Sequence, residues 1–144
     1  RVLRPKGLIR LTEADELPGG TSPALTRLFG LMQEAFSLAG HVVAIDSKGM
    51  AQEFQRLLKQ HGFQNIQMRL FVTEYPASTL EGQLYAEDMQ RVFKTVVPFL
   101  HKWIKVPDDY DETYQQAIRE MQQPDFVGKG TAFTAWGISP SSPE

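Results

Sequence analysis

The chain begins with RVLRPKGLIRLTE, residues 1–13, and this stretch decides how the fold is interpreted. The Pro-Lys-Gly turn at residues 5–7 is typical of a junction between a helix and a strand, because Pro ends a helix and Gly permits a tight turn. The mostly apolar residues 8–12 predict a short strand covered on both faces, as in parallel sheets. Since only a stub of the preceding helix is present, we expect the 144 residues to be the back part of a larger domain.

Helical and strand patterns alternate along the rest of the chain, which predicts an α/β fold. The predicted elements are, in order, strand 8–12, loop 13–20, helix 22–39, helix 46–61, strand 66–73, a long helix from residue 78 that Pro98 kinks or divides, helix 107–123 and strand 131–138. Ser78 with Glu81 three positions later forms a capping-box pattern. Three strands are few for an α/β sheet, whose usual number is about 5–6, so the pattern also predicts a partial domain, 1–144.

The composition restricts the possible partners and the compartment. Apolar residues make up 42% of the chain and charged residues 22%, and 15 basic against 17 acidic residues give a net charge of −2. Such a balance does not favour nucleic acid or an anionic membrane surface as a partner. The chain has no cysteine, which is compatible with a reducing compartment, and we predict a cytoplasmic protein.

Two further motifs, together with the opening turn and strand, make the order of elements recognisable. The turn and strand of residues 1–13 are followed by LLKQHGF at residues 57–63, directly before the strand at 66–73, and by AWG at residues 135–137 in the last strand. This order resembles the C-terminal half of a class I S-adenosylmethionine-dependent methyltransferase of the small-molecule kind (type 11, ubiquinone/menaquinone-methylase-like). That family has an R-x-L-(R/K)-P-G-G turn before its fifth strand, and Lys6 stands where the first of those glycines is usual.

The resemblance implies both a fold and an activity. It implies a Rossmann-like sheet represented by strands five and six and an antiparallel seventh between them, with helical lid insertions at residues 22–39 and 78–123. The parent enzyme would transfer a methyl group from S-adenosylmethionine to a small, hydrophobic or aromatic acceptor. The family's glycine-rich, cofactor-binding loop has no counterpart in this chain, so no cofactor-binding residue is predicted and we expect the chain to be inactive alone.

Candidate site residues come from the strand ends and from the insertions. Ligands in open α/β sheets bind at the carboxyl ends of the strands, which makes Glu13 a candidate catalytic base and Asp15 a substrate-binding residue. Solvation of a loop, or capping of the next helix, is the alternative for both. An apolar substrate pocket could be lined by Phe29, Met32, Phe36, Tyr85, Trp103 and Tyr110. An ordinary helix–helix core is the alternative for these six residues.

Other functions and partners remain open at this point. The three histidines are far apart without ligand spacing, so no metal site is predicted. A non-enzymatic, methyltransferase-like module that acts by binding or dimerisation is the main alternative to an enzyme. A doubly wound nucleotide-binding or reductase-type domain is a third, and an antiparallel last strand would argue against it. We also predict self-association through the edge of strand 8–12, by strand pairing or segment exchange.

Overall fold

The computed structural model describes residues 3–14, 18–40 and 48–140. Over these ranges the chain has a mixed α/β fold with an open, antiparallel four-stranded sheet and five helices. The elements are β1 (Leu8–Ala14), β2 (Gly19–Gly20), α1 (Pro23–Leu38), α2 (Lys48–Gln60), β3 (Gln64–Pro76), α3 (Leu80–Thr95), α4 (Val97–Trp103), α5 (Tyr110–Met121) and β4 (Val127–Ile138). The predicted start of α2 at Asp46–Ser47 lies outside the described residues.

Strand β4 organises the sheet, because β1, β2 and β3 all pair with it. The β1–β4 pairing is antiparallel and continuous, from Leu8 opposite Ile138 to Ala14 opposite Ala132. The short β2 pairs with the beginning of the same strand. The last strand of the chain therefore lies between β1 and β3 rather than at the end of the sheet.

The pairing of β3 with β4 is also antiparallel, as the close approaches along the two strands show. A Cβ built on Gly137, near the end of β4, would lie 3.4 Å from the Ile66 side chain, near the start of β3. A Cβ on Gly130, near the start of β4, would lie 3.4 Å from the ring of Tyr75, near the end of β3. Since both neighbours of β4 run opposite to it, β1 and β3 run parallel to each other.

Two compact units are formed by the chain. The first, which we call the sheet unit, contains residues 3–14, 48–72 and 131–140 of the described chain. The second, the helical unit, contains residues 18–40 and 73–130. Both segments predicted as helical insertions, 22–39 and 78–123, belong to the helical unit.

In the sheet unit, α2 covers one face of the strands. Leu58 of α2 is buried with Phe133 and Ala135 of β4, and the rings of Phe54 and Phe133 lie 6.1 Å apart. The apolar residues packed against this cluster are Ile9, Leu11, Phe63, Ile66 and Met68, with Phe54. Helix α2 ends as its sequence predicts, because Gly62 adopts φ +73° and the Phe63 N–H donates to the Leu58 carbonyl at 3.0 Å.

The prediction that strand 8–12 is covered on both faces is wrong for the part of the chain that the structure describes. Ile9 and Leu11 face α2, but the alternate residues Leu8, Arg10 and Thr12 are exposed, and Leu8 retains 63% of its accessible surface. The physical reason is the period of two in a strand: Arg10 and Thr12 occupy one face, which makes that face a solvated one.

The helical unit buries a larger core among α1, α3, α4 and α5. Local signals fix its helix ends: the Ser22 side chain accepts a hydrogen bond from the Leu25 N–H at 3.0 Å, and Gly40 takes φ +80° beyond the end of α1. Pro98 lies in the first turn of α4 and divides it from α3, as predicted. Thr79, not Ser78, is the N-cap of α3, since the Thr79 hydroxyl accepts from the Gly82 N–H at 3.1 Å.

Two boundaries differ from the sequence prediction because of pairing between distant segments. The predicted loop 13–20 contains the end of β1 and all of β2, and β4 begins at Val127 rather than Thr131. Gly19 and Gly20 are extended because they pair with Lys129 and Gly128. Ladder hydrogen bonds to β4 here override the loop preference of glycine.

Candidate functional site

Glu13 is the predicted acidic site residue that lies within the described part of the chain. Glu13 lies in β1 opposite Phe133, and its side chain is exposed. Its Oε1 accepts a hydrogen bond from the Ala14 N–H at 3.0 Å. The carboxylate is thus accessible to solvent and held near the end of the strand. Asp15 lies outside the described residues.

The six predicted pocket residues come together in one cluster of the helical unit. Phe29, Met32, Tyr85 and Tyr110 are buried, and Phe36 and Trp103 are half-buried against them. Phe29 makes an edge-to-face contact with Phe93 of α3, with ring centroids 4.9 Å apart at 77°. Phe36 packs against Phe99 of α4 at 5.2 Å. The structure therefore places these side chains in the packed core of the helical unit.

The buried tyrosines use their hydroxyls to hold the backbone in place. The Tyr110 hydroxyl donates to the carbonyl oxygen of Phe93 at 2.6 Å, and the Tyr85 hydroxyl donates to that of Gly19 at 2.5 Å. Burial is the main reason that the pKa of Tyr110 is raised to about 12, and it raises the pKa of Tyr85 still more strongly. Both phenols therefore remain protonated hydrogen-bond donors near neutral pH and do not act as bases.

A carboxylate also joins α5 to the N-terminus of α1. Glu120 Oε2 accepts hydrogen bonds from the Ser22 hydroxyl at 2.5 Å and from the Ala24 N–H at 3.0 Å. The Ser22 hydroxyl and then the Gln116 amide are the main causes that hold the pKa of Glu120 below its usual range. A negative charge at the N-terminus of a helix also interacts favourably with the helix dipole. This network has a structural role: it fixes α1 against α5.

Next to that network, the helical unit has a groove of about 480 Å³ between the first turns of α1 and α5. Arg27 and Asp109 form a two-pronged ion pair across it, at 2.8 and 2.9 Å. Hydrogen bonding from Arg27 is the main reason that the pKa of Asp109 is lowered. Arg27 and Asp109 therefore already satisfy each other, and Glu112 is the other charged residue that lines the groove.

A second groove of the helical unit, about 490 Å³, follows α3. The rings of Tyr75 and Tyr85 are stacked at its base, 5.0 Å apart at 15°. Leu84 lies along it and is half exposed, and Glu81 and Asp88 border it. Its lining combines aromatic surface with carboxylates and the guanidinium of Arg91.

The sheet unit has a shallow hollow of about 330 Å³ on the face opposite α2. It is lined by Leu8, Arg10, Phe71 and Trp136. Arg10 lies directly opposite Trp136 in the β1–β4 register, and the Trp136 indole N–H donates to the Gln67 side chain at 3.2 Å. None of these four residues was predicted as a site residue from the sequence. In the sequence, Leu8 and Arg10 alternate with Ile9 and Leu11, and this alternation could have indicated which side of β1 is exposed.

No metal site is found over residues 3–14, 18–40 and 48–140: no group of three His, Cys, Asp or Glu side chains there could hold a metal ion. His61 and His101 are both exposed and belong to different units. Among the helices of the same ranges, none is long and apolar enough to cross a membrane.

No protein-family model matches this chain, and no curated protein matches its sequence.

Proposed function

We propose that this chain is part of a class I S-adenosylmethionine-dependent methyltransferase that acts on a small molecule. The observation that carries the proposal is the position of β4, which pairs with both β1 and β3 and runs antiparallel to β1. In the family that the sequence resembles, the last strand likewise runs antiparallel between the fifth and sixth strands. In this proposal, β1, β3 and β4 correspond to strands five, six and seven.

The connection between β1 and β3 supports the same correspondence. Parallel strands of one sheet need a crossover connection, which is usually a helix. Helix α2 lies between β1 and β3 in the chain and covers the strands of the sheet unit. The antiparallel β4 argues against the doubly wound nucleotide-binding or reductase-type alternative.

The turn before β1 adds a local argument. Lys6 adopts φ +59°, a left-handed conformation that favours glycine, and the Gly7 N–H closes the turn onto the Arg4 carbonyl at 2.9 Å. The resembling family carries glycine at the position of Lys6. If lysine replaced that glycine while the turn kept its conformation, the lysine would adopt a left-handed φ, as Lys6 does.

In the proposed enzyme, the helical unit supplies the substrate-binding part. Residues 22–39 and 78–123 are far apart in sequence but share one aromatic core. Phe29, Tyr85 and Tyr110 are buried core residues that stabilise this part of the protein. An aromatic or hydrophobic acceptor would therefore contact the surface of the helical unit and not these three side chains. Trp103 and Phe36, which are half-buried, remain candidates for such contact.

The proposed reaction requires few catalytic side chains. Methyl transfer is an in-line displacement at carbon, and its rate depends mainly on holding donor and acceptor in near-attack geometry with water excluded. Glu13 is our candidate base for an acceptor that must lose a proton, because its carboxylate is exposed and receives its hydrogen bond from a backbone N–H. The buried tyrosines are excluded from that role by their raised pKa values.

S-adenosylmethionine is the proposed methyl donor of the parent enzyme. Glycine-rich strand–turn–helix loops bind such cofactors by close backbone approach, and neither G-x-G-x-x-G nor G-x-G-x-G occurs in the 144 residues. We therefore propose that this chain alone does not bind the donor. The lack of cysteine fits the cytoplasm as the compartment of the parent.

Calorimetric titration tests the proposal. S-adenosylmethionine is titrated into the 144-residue chain and into the full-length product of its gene. We expect a single saturable site in the full-length protein and no specific binding to the chain. Absence of binding to the full-length protein would refute the methyltransferase proposal. Stoichiometric binding to the 144-residue chain would refute the proposal that this chain alone does not bind the donor.

The role of Glu13 is tested in the same full-length protein with a radiolabelled methyl donor. Once an acceptor has been found by screening aromatic and hydrophobic small molecules, Glu13→Gln should lower kcat by about 10²–10⁴ and leave donor binding unchanged. Glu34→Gln, which alters an exposed carboxylate of α1, is the matched control and should leave kcat unchanged. An unaltered kcat in Glu13→Gln would remove Glu13 as the base.

A further inference from the structure

Strand β1 is an open edge of the sheet. In the part of the chain that the structure describes, its one strand partner is β4. Its seven residues pair one-to-one with β4 without a bulge, and neither Pro nor Lys interrupts them. Proteins usually protect edge strands with bulges, prolines or lysines, because an exposed row of N–H and C=O groups pairs readily with another strand.

The pairing with β4 identifies which backbone groups of β1 face outward. The Ser139 N–H donates to the Gly7 carbonyl at 2.8 Å, which makes these two residues a hydrogen-bonded pair of the antiparallel ladder. Such pairs alternate along a strand, so Ile9, Leu11 and Glu13 bond toward β4. The outward N–H and C=O groups are those of Leu8, Arg10, Thr12 and Ala14. The bond from the Ala14 N–H to its neighbour's carboxylate, Glu13 Oε1, agrees with this assignment.

We propose that two copies of this chain associate by antiparallel pairing of β1 with β1, about a twofold axis at Leu11. In this register Leu8 lies opposite Ala14 and Arg10 opposite Thr12, so every outward-facing residue of the strand has a partner in the second copy. A shift by two residues in one direction places Arg10 opposite the other Arg10. The same shift in the other direction leaves Leu8 without a partner in the strand.

The apolar face of β1 is complementary to itself in the same register. Ile9 and Leu11 are only half-buried, although they belong to the cluster under α2. Leu11 lies opposite Leu11 in a pair without hydrogen bonds, where the two Cα atoms are about 4.5 Å apart and side chains are closest. The second copy therefore covers the leucine that the monomer leaves half exposed, and the cluster continues across the axis.

Association also exchanges one local hydrogen bond. The Ala14 N–H would leave Glu13 Oε1 and donate to the Leu8 carbonyl of the second copy. Glu13 lies opposite Ile9 of that copy, at the end of the shared strand, where its carboxylate remains in water. This inference concerns the 144-residue chain alone, because in the parent enzyme proposed above the same edge of β1 would pair with the fourth strand of the family's sheet.

Sedimentation of the chain across the micromolar range tests the association, with two substitutions of one residue. Arg10→Pro removes an outward N–H and none of the bonds to β4, and proline is tolerated in edge strands. Arg10→Ala removes the same side chain but keeps the N–H. We expect a concentration-dependent dimer for the chain and for Arg10→Ala, and an increase in the dimer Kd of at least about tenfold for Arg10→Pro. A monomeric wild-type chain, or a folded Arg10→Pro variant that dimerises normally, would overturn the proposal.

Cysteine cross-linking tests the register without disturbing the backbone. The chain contains no cysteine, so each variant carries a single thiol. Leu11→Cys should form a disulfide-linked dimer under mild oxidation, because a Cα separation of about 4.5 Å falls within disulfide range. Ile9→Cys is the matched control: its thiols lie four positions apart along the strand, about 13 Å, and should not cross-link. Cross-linking at position 9 and not at position 11 would overturn the register.

Discussion

Replacing Ser22 with alanine should loosen the joint between α1 and α5 in the helical unit. The Ser22 hydroxyl accepts from the Leu25 N–H at 3.0 Å and donates to Glu120 Oε2 at 2.5 Å, and the residue is 2% exposed. Loss of an N-cap side chain costs about 1 kcal/mol. Loss of a hydrogen bond to a charged group costs about 1.5–3 kcal/mol, and we take the lower end because Glu120 is partly exposed. Together, Ser22→Ala should lower the free energy of unfolding of the helical unit by about 2–3 kcal/mol.

The two tryptophans allow that unit to be observed separately. Trp103 lies in the helical unit and Trp136 in the sheet unit. In a Trp136→Phe background, urea unfolding followed by tryptophan fluorescence reports on the helical unit alone. Ser37→Ala, an exposed serine near the other end of α1, is the matched control. If Ser22→Ala lowers the free energy of unfolding by no more than Ser37→Ala does, Ser22 does not stabilise the N-terminus of α1 as proposed.

The Glu120 carboxylate gives the same experiment a second readout. Glu120→Gln should also destabilise the unit, and the double variant with Ser22→Ala should show a coupling of about 1 kcal/mol, since the two side chains share one bond. Because the pKa of Glu120 is lower in the folded state than in the unfolded chain, its stabilising contribution is present above about pH 4.3. That contribution is lost as the pH falls through the lowered folded value. The cost of Ser22→Ala should therefore decrease in acid, and a cost independent of pH would contradict the assigned bond.

Three substitutions that remove or introduce a glycine give further predictions, each measured by urea unfolding with far-UV circular dichroism. Gly82→Ala should destabilise by more than about 1 kcal/mol despite the better helix propensity of alanine, because the new Cβ would lie 2.0 Å from the Pro76 carbonyl oxygen. Gly30→Ala, an exposed helical position with nothing within 4 Å of the new Cβ, should instead stabilise by about 0.5–1 kcal/mol. Lys6→Gly should stabilise by up to about 1 kcal/mol, because it relieves a left-handed lysine at φ +59°. The opposite sign at any of these positions would show that the local conformation is not as described.

The helix ends of this chain could be predicted because their causes are local. Ser22, Pro23 and Gly40 bound α1, and Pro98 separates α3 from α4. The competition between Ser78 and Thr79 for the N-cap of α3 was not decided by the capping-box pattern. Thr79 wins in the structure because its hydroxyl also donates to the Pro76 carbonyl at 2.8 Å. A contact outside the helix thus selected between two suitable residues.

The strands were less predictable, because their partners are distant in sequence. Nothing local marks Gly19 and Gly20 as a strand, and they are one only through Lys129 and Gly128. Arg10 and Thr12 alternate with apolar residues in the sequence, but the mostly apolar composition of residues 8–12 predicts a strand buried on both sides. What overturns that interpretation is the position of Arg10 and Thr12 on the face away from α2.

The sequence predicted which residues belong to the candidate site better than how those residues are packed. Helical spacing identified five aromatic residues and Met32 in the two insertions, and the structure places all six residues in one cluster. Spacing could not say whether they would enclose a cavity or fill it. That depends on how closely α1, α3 and α5 approach, as in the 4.9 Å contact of Phe29 with Phe93.

By itself, the sequence determined the mixed α/β class, the two ends of α1, the break between α3 and α4 and the exclusion of disulfides, since these follow from residue type and short-range periodicity. Only the tertiary structure decided that Gly19 and Gly20 pair with β4, that the aromatic residues of the two helical segments pack into one core, and that Arg10 and Thr12 lie on an exposed face of β1. The reason is physical. Caps and turns form among residues that are already neighbours, whereas sheet order and side-chain packing depend on which distant surfaces meet and exclude water.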